Sequence, residues 1–350
     1  MSLNFASDNV GPVAPGILEA IVKANGQDAM PYGNDAWTKQ AQDQIRALFD
    51  MPEAEVLLVS VGTAANALAL AGHAAPWSTI YCHRVAHIEE DECGAPEFFT
   101  GGAKLTLIDG ADGKITPDGL RAALKGPAGK SVHQVQQSAL SLTNVTEVGT
   151  VYSLEELAAL TEIAHTVGLS THLDGARFAN ACATLGCTAA EMARGFDVIS
   201  FGGTKNGCMG VEAIIIRDPS RGWEAELRRK RAGHLWSKHR FLGAQMAAYT
   251  SDELWLELAH QANASAQALA ENLQSVPGAE FVHPPHANMI FLRLPRVAHA
   301  RALKGGAEYY VMEGDVTQGA PNEPLLCRLV CDWSKTQSDV DALVALLHGS

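Results

Sequence analysis

Lys205 stands in Ser200-Phe201-Gly202-Gly203-Thr204-Lys205-Asn206-Gly207, where an apolar run gives way to small residues that let the backbone approach a neighbour closely. Two readings of this lysine stand side by side: a solvated amine, or an amine that forms a Schiff base with an aldehyde. A phosphate-cradling P-loop is excluded, because the order G-x-x-x-x-G-K-[ST] is absent. Asp174 closes the apolar run Leu169–Leu173, directly before Gly175-Ala176-Arg177. Taken alone it reads equally well as a helix N-cap. Carboxylates at the C-terminal ends of strands in open α/β sheets, however, face the ligand crevice. A lysine and a carboxylate at neighbouring strand ends suit pyridoxal phosphate, whose aldehyde carbon the amine holds and whose pyridine nitrogen the carboxylate keeps protonated. Gly62-Thr63, between an apolar run and an Ala-rich helix, supplies a place for the phosphate, since free N–H groups and the helix dipole favour a dianion there. Before a helix, a Gly-Thr pair is otherwise only a cap.

The elements that must position these residues are legible as alternation. Short apolar runs at Val56–Ser60, Thr79–Tyr81, Lys104–Ile108, Ala139–Leu142, Leu169–Leu173, Val198–Ser200 and Ala213–Ile216 alternate with helix-period stretches, the pattern of a mostly parallel seven-stranded sheet in an α/β fold. Ser153-x-x-Glu156 and Thr188-x-x-Glu191 read as capping boxes, and Gly168 ends a helix. Long Ala/Leu-rich helices follow at Arg221–Arg231 and Thr250–Leu273, the second bridging to a smaller α+β unit. There, strands are expected at Glu280–Val282, Met289–Leu294, Tyr309–Met312 and Leu326–Val330, with helices near 296–304 and 336–347. The expected organisation is an N-terminal arm over 1–35, a large α/β domain over 36–250, and the bridging helix with the small domain over 251–350.

Composition narrows the functional classes. With 26 basic against 39 acidic residues the net charge is −13, which argues against a nucleic-acid partner. The basic run Arg228-Arg229-Lys230-Arg231 reads as a solvated helix face. Seven cysteines at irregular spacing, with no C-x-x-C pair, fit neither a disulfide framework nor a zinc ribbon, so reduced thiols in the cytoplasm and no metal are expected. No signal-peptide pattern and no long apolar run point to secretion or to a membrane.

Taken together, the motifs resemble the threonine aldolase family of fold-type-I pyridoxal phosphate enzymes, and the bacterial low-specificity branch in particular. The resemblance runs through Ser7-Asp8, Tyr32-Gly33 with Asp35, Gly62-Thr63, Ala86-His87, Asp174 to Arg177, Ser200 to Gly207, and Arg328-Leu329-Val330. It implies that Lys205 holds the cofactor aldehyde, that Asp174 meets the ring nitrogen, that Gly62 and Thr63 bind the phosphate, and that His87 stacks over the ring. It implies a substrate carboxylate held by Arg177, Arg328 and Ser7, with Tyr32 on the substrate side. Paired guanidinium forks match the two oxygens of a carboxylate. His133 is implied near the substrate hydroxyl. Lys230 and Arg240, with Lys238 an equal contender, are implied to reach the phosphate of a neighbouring subunit in a dimer or tetramer. In one departure, the family's Glu-Asn-Thr-His-Asn is replaced by Thr143-Asn144-Val145-Thr146-Glu147, which leaves the contacts along the cofactor edge open.

The activity so implied is cleavage of L-threonine, L-allo-threonine and related β-hydroxy-α-amino acids to glycine and an aldehyde, with His87 or His133 as the base for the β-hydroxyl proton. Competing readings are another pyridoxal phosphate reaction on the same fold (β-elimination, phenylserine-type cleavage or transamination) and a phosphate-ligand binding protein without catalysis. A nicotinamide dehydrogenase ranks last, since no G-x-G-x-x-G follows an early strand.

Overall fold

The computed structural model describes residues 3–349, so Met1 and Ser2 of the expected arm and Ser350 of the expected C-terminal unit lie outside the described residues. Seven strands form the large sheet: β1 (Glu55–Val59), β2 (Ser78–His83), β3 (Lys104–Ile108), β4 (Gln136–Thr143), β5 (Ser170–Gly175), β6 (Val198–Gly202) and β7 (Glu212–Ile216). Their order is β1-β7-β6-β5-β4-β2-β3, with β7 antiparallel to both of its neighbours and the other pairs parallel. Every residue of β2, β6 and β7 is buried, which is why these segments read as continuous apolar runs rather than alternating ones. The loop from Gly203 to Val211 is too short for a crossover helix, so β7 must return antiparallel to β6.

This topology creates the site. The C-terminal ends of β1, β2, β4, β5 and β6 and the N-terminal end of β7 share one sheet edge, which gathers Gly62, His87, Thr143, Asp174, Lys205 and Glu212. Both expected capping boxes form, with Ser153 and Glu156, and Thr188 and Glu191, bonding reciprocally.

The small sheet, β8 (Glu280–Phe281), β9 (Met289–Pro295), β10 (Tyr310–Val311) and β11 (Pro324–Val330), is antiparallel in the order β10-β11-β9-β8. Helices at Arg296–Lys304 and Gln337–His348 cover it. Its core holds Leu292, Leu329, Val340 and Leu343, together with Phe5 from the N-terminal arm. Ile17, twelve positions on, packs in the core of the large sheet. The arm therefore spans both cores, with Asp8 between them.

One expected boundary moves. The helix expected over Thr250–Leu273 begins four residues later, as Leu254–Leu273; Thr250 closes a separate helix, Arg240–Thr250, and a tight turn in which Asp252 (φ 51°) and Glu253 (φ 59°) are left-handed lies between the two. Thr250-Ser251-Asp252 are residues that favour caps and turns over helix interiors, so the break falls where local preference allows it. Helix Arg240–Thr250 lies so close against helix Ala36–Leu48 that a Cβ on Gly243 would sit 2.5 Å from the Thr38 nitrogen. Within the arm lies the helix Pro15–Ala24, with Pro15 at its first position, where a missing N–H costs nothing.

Candidate active site

A cavity of about 250 Å³ opens at the shared sheet edge, lined among others by Gly62, Thr63, His87, Asp174, Lys205 and Glu212. A larger groove beside Phe98, Phe99 and Arg228 holds neither lysine nor histidine. Lys205 follows β6 in a single tight turn closed by Gly207 in the left-handed region (φ 95°). The neighbouring Arg177 charge and burial both hold its amine below the usual lysine range, against the opposing pull of Asp8, Asp174 and Glu212.

Asp174 is buried at the end of β5, in register with Thr143 on β4 and Ser200 on β6. Its Oδ2 accepts from Asn66 Nδ2 at 2.8 Å and its Oδ1 from the Ala176 N–H at 3.0 Å. Asn66 donates at the same time to Glu92 Oε1 at 2.8 Å, and that oxygen meets His87 Nδ1, also at 2.8 Å. One chain of contacts thus joins Asp174 to His87. The bond to Glu92 holds the His87 imidazole above its usual range, against burial. With Glu92 ionised, Nδ1 is the donor and Nε2 is left with its lone pair.

Glu147 fills the place left open by the departure from the family pattern. Its Oε1 accepts the His87 N–H at 2.8 Å and the Thr143 hydroxyl at 2.8 Å, so it pins the start of the His87–Glu90 turn to the end of β4. Burial, and then Asp174, raise its carboxyl to about 7.

Gly62 and Thr63 open the helix Gly62–Ala71, which has no side-chain cap, so its first N–H groups are available to an anion. A Cβ on Gly62 would meet no atom within 4 Å and would project into open space. The site thus offers an amine of lowered proton affinity, a buried carboxylate and an uncapped helix N-terminus. That donor set fits a group carrying an aldehyde, a basic ring nitrogen and a phosphate.

Arg177 and Arg328 converge beside it. Arg177 is held by Asp8, while Arg328 Nη2 donates to the Ala6 carbonyl at 3.0 Å and its guanidinium lies 5.1 Å from the Tyr310 ring centre. The Arg328 Nε is buried without a partner among the described residues. Ser7 accepts the Asn9 N–H at 3.2 Å and so caps the turn that carries Asp8.

The structure does not bring the remaining expected residues to this cavity. His133 lies exposed in the loop before β4, at the opposite edge of the sheet, because a residue preceding a parallel strand emerges at its N-terminal end. His133 therefore does not line this chain's own cavity. Exposed Tyr32 (φ 58°) carries Lys230 Nζ 4.8 Å from its ring centre, and Arg240 Nε donates to the Ala24 carbonyl at 3.1 Å. None of these three lines the chain's own cavity.

Sequence reasoning missed Asn66, Glu92 and Glu212. Each left a signal: a lone amide in an Ala-rich helix one turn beyond Gly62, an acid five residues after His87, and a charge opening an otherwise apolar strand.

The seven-stranded sheet with β7 reversed, the small antiparallel sheet and the lysine after β6 define the fold-type-I pyridoxal phosphate enzyme architecture. The threonine aldolase of Leishmania major superposes with a TM-score of 0.91 at 29% identity, covering 98% of each chain. In sequence the chain is 41% identical to the low specificity L-threonine aldolase of Pseudomonas aeruginosa, over 94% of this chain and 92% of that one. It is 40% identical to the enzyme of the same name from a Pseudomonas species, over 98% and 96%. The profile of the beta-eliminating lyase family matches residues 4–295, and the chain belongs to that family.

Proposed function

We propose that this protein is a pyridoxal-phosphate-dependent aldolase that cleaves L-threonine, L-allo-threonine and related β-hydroxy-α-amino acids to glycine and an aldehyde. The observation that carries the reading is the meeting of Lys205, Asp174, His87 and the Gly62–Thr63 helix terminus in one cavity with Arg177 and Arg328 beside it. The names of the Pseudomonas and Leishmania relatives support it. When bound, the cofactor supplies an aldehyde for an amine and a ring that accepts electrons.

Lys205 is the residue that binds the aldehyde, Gly62 and Thr63 bind the phosphate through backbone N–H groups, and Asp174 keeps a proton on the ring nitrogen. Asn66, bridging Asp174 and Glu92, fixes the Asp174 carboxylate in place. Arg328 and Arg177, with Ser7, clamp the substrate carboxylate. That clamp decides which bond of the substrate stands perpendicular to the cofactor plane, and here it is the bond between Cα and Cβ. His87 accepts the β-hydroxyl proton at Nε2, because Glu92 holds the other ring nitrogen as a donor.

Tyr32, Lys230 and Arg240, which do not line their own cavity, support a homo-oligomer, dimer or tetramer, in which they serve a neighbouring chain. The cysteines are all free, and among the described residues no helix is long and apolar enough to cross a membrane; the free thiols support a reducing, cytoplasmic setting.

The test is the absorption spectrum with pyridoxal phosphate before and after glycine, alongside aldehyde release from threonine. A visible band that moves to longer wavelength with glycine, together with aldehyde release that Lys205→Ala abolishes, is expected. Keto-acid formation without aldehyde would replace the reading with transamination or elimination, and absence of any band with a phosphate-ligand binding protein.

A further inference from the structure

One buried acid beside Lys205 has no part in the chemistry above. Glu212 opens β7 opposite Gly202 and Val59, is only 6% exposed, and lines the same cavity. Its Oε2 accepts the Gly203 N–H at 2.9 Å and its carboxylate also bonds the Thr204 hydroxyl, which in turn accepts the Val211 N–H at 3.1 Å. The carboxylate therefore braces from below the turn that carries Lys205. Of the acids whose charge reaches Lys205, Asp8 is matched by Arg177 and Asp174 is held by amides for the ring nitrogen.

We propose that Glu212 is a positioning residue for Lys205, bracing the Gly203–Lys205 turn and serving as the unmatched counter-charge of the amine. This rests on the reading of Lys205 as the aldehyde-binding amine. An amine attacks a carbonyl only after losing a proton, and a carboxylate that titrates nearby sets the pH at which it does so. Burial raises the Glu212 carboxyl to about 7. The other groups facing the pair are Arg177, Asp8 and Asp174 around Lys205, and the Cys208 thiol and Tyr249 hydroxyl behind Glu212. Burial raises those last two far above their usual ranges, so both stay neutral.

The experiment is trace acetylation of the full chain, freed of cofactor, with acetic anhydride across pH, reading Lys205 by peptide mass spectrometry. It needs no cofactor and no turnover, so it separates this proposal from the aldolase reading, which the glycine spectrum and aldehyde release test. Glu212→Gln, which keeps an oxygen for the Gly203 N–H, is expected to lower the Lys205 labelling midpoint by about one pH unit, roughly tenfold in rate below the midpoint. Glu212→Asp, which keeps the charge, is expected to stay near the wild-type midpoint. Equal midpoints for wild type and Glu212→Gln, or a Glu212→Asp profile like that of Glu212→Gln, overturn the counter-charge role.

Discussion

The Asp8 carboxylate grips the Arg177 guanidinium in a two-pronged pair, Oδ2 to Nε at 2.6 Å and Oδ1 to Nη2 at 3.0 Å. Asn288 Nδ2 donates to the same carboxylate at 3.0 Å, so the N-terminal arm, the large sheet and the segment before β9 meet at one buried acid. Arg328, bound to the adjacent Ala6 carbonyl, is aimed from the same arm. The arm thus orients both guanidinium groups proposed to hold the substrate carboxylate.

Asp8→Asn is expected to destabilise the fold by about 3–5 kcal/mol, since it leaves Arg177 as an unmatched, largely buried charge. Urea unfolding across pH adds a signature. Burial raises the Asp8 carboxyl, but Arg177, Lys205 and the bonds from Arg177 and Asn288 outweigh it and hold it below the usual range. The stabilisation is therefore present above the ordinary carboxylate pKa and is lost as pH falls through the depressed value. The variant should lack that acid-sensitive component, and an identical pH dependence in both proteins would refute the assignment.

Glu92→Gln tests the base. As the proposed base His87 would act in its neutral form, and Glu92 raises its proton affinity, so the acid limb of the kcat/KM profile should lie above the ordinary histidine range and rise with pH. Removing the carboxylate should shift that limb to lower pH while kcat falls about tenfold, because the imidazolium formed on proton transfer loses its counter-charge. A limb that stays in place would assign the proton transfer elsewhere.

Arg328→Lys should raise KM for threonine by roughly 10- to 100-fold with a smaller change in kcat, the worth of one charge-assisted fork contact at about 1.5–3 kcal/mol. The lysine keeps the charge but loses the planar fork and its stacking on Tyr310. Steady-state kinetics showing unchanged KM would remove Arg328 from the carboxylate clamp.

Two glycines should separate fold from phosphate binding. A Cβ on Gly175 would stand 2.5 Å from the Ser200 carbonyl oxygen and 3.0 Å from the Phe178 Cβ, so Gly175→Ala should cost about 1–3 kcal/mol by prying β5 from β6. Gly62→Ala meets nothing and should melt like the wild type, yet bind pyridoxal phosphate more weakly. Melting curves paired with cofactor titration decide both cases; unchanged cofactor affinity in Gly62→Ala would move the phosphate elsewhere.

Much of this is readable from the order of the residues alone. Apolar runs bounded by turn residues locate all seven strands of the large sheet, most plainly β2, β6 and β7, which are buried throughout and so have no reason to alternate. Lys205, Asp174, Gly62 and Thr63 are legible because each follows or ends such a run, and strand ends of a parallel sheet meet at one edge. The left-handed turn at Asp252 and Glu253 is not legible, since Thr250, Ser251 and Asp252 mark a helix start without specifying the backbone that leads into it.

By itself, then, the sequence determined the sheet, the short return into β7 and the reactive groups along one edge, all consequences of local pattern and chain connectivity. Only the tertiary structure decided which groups stand near which. It moved His133 to the far edge, tied Asp8 to Arg177 across 169 positions, and joined Asn66 to Asp174 across 108. Such pairings arise from the packing of elements distant in the chain, and no local periodicity encodes them.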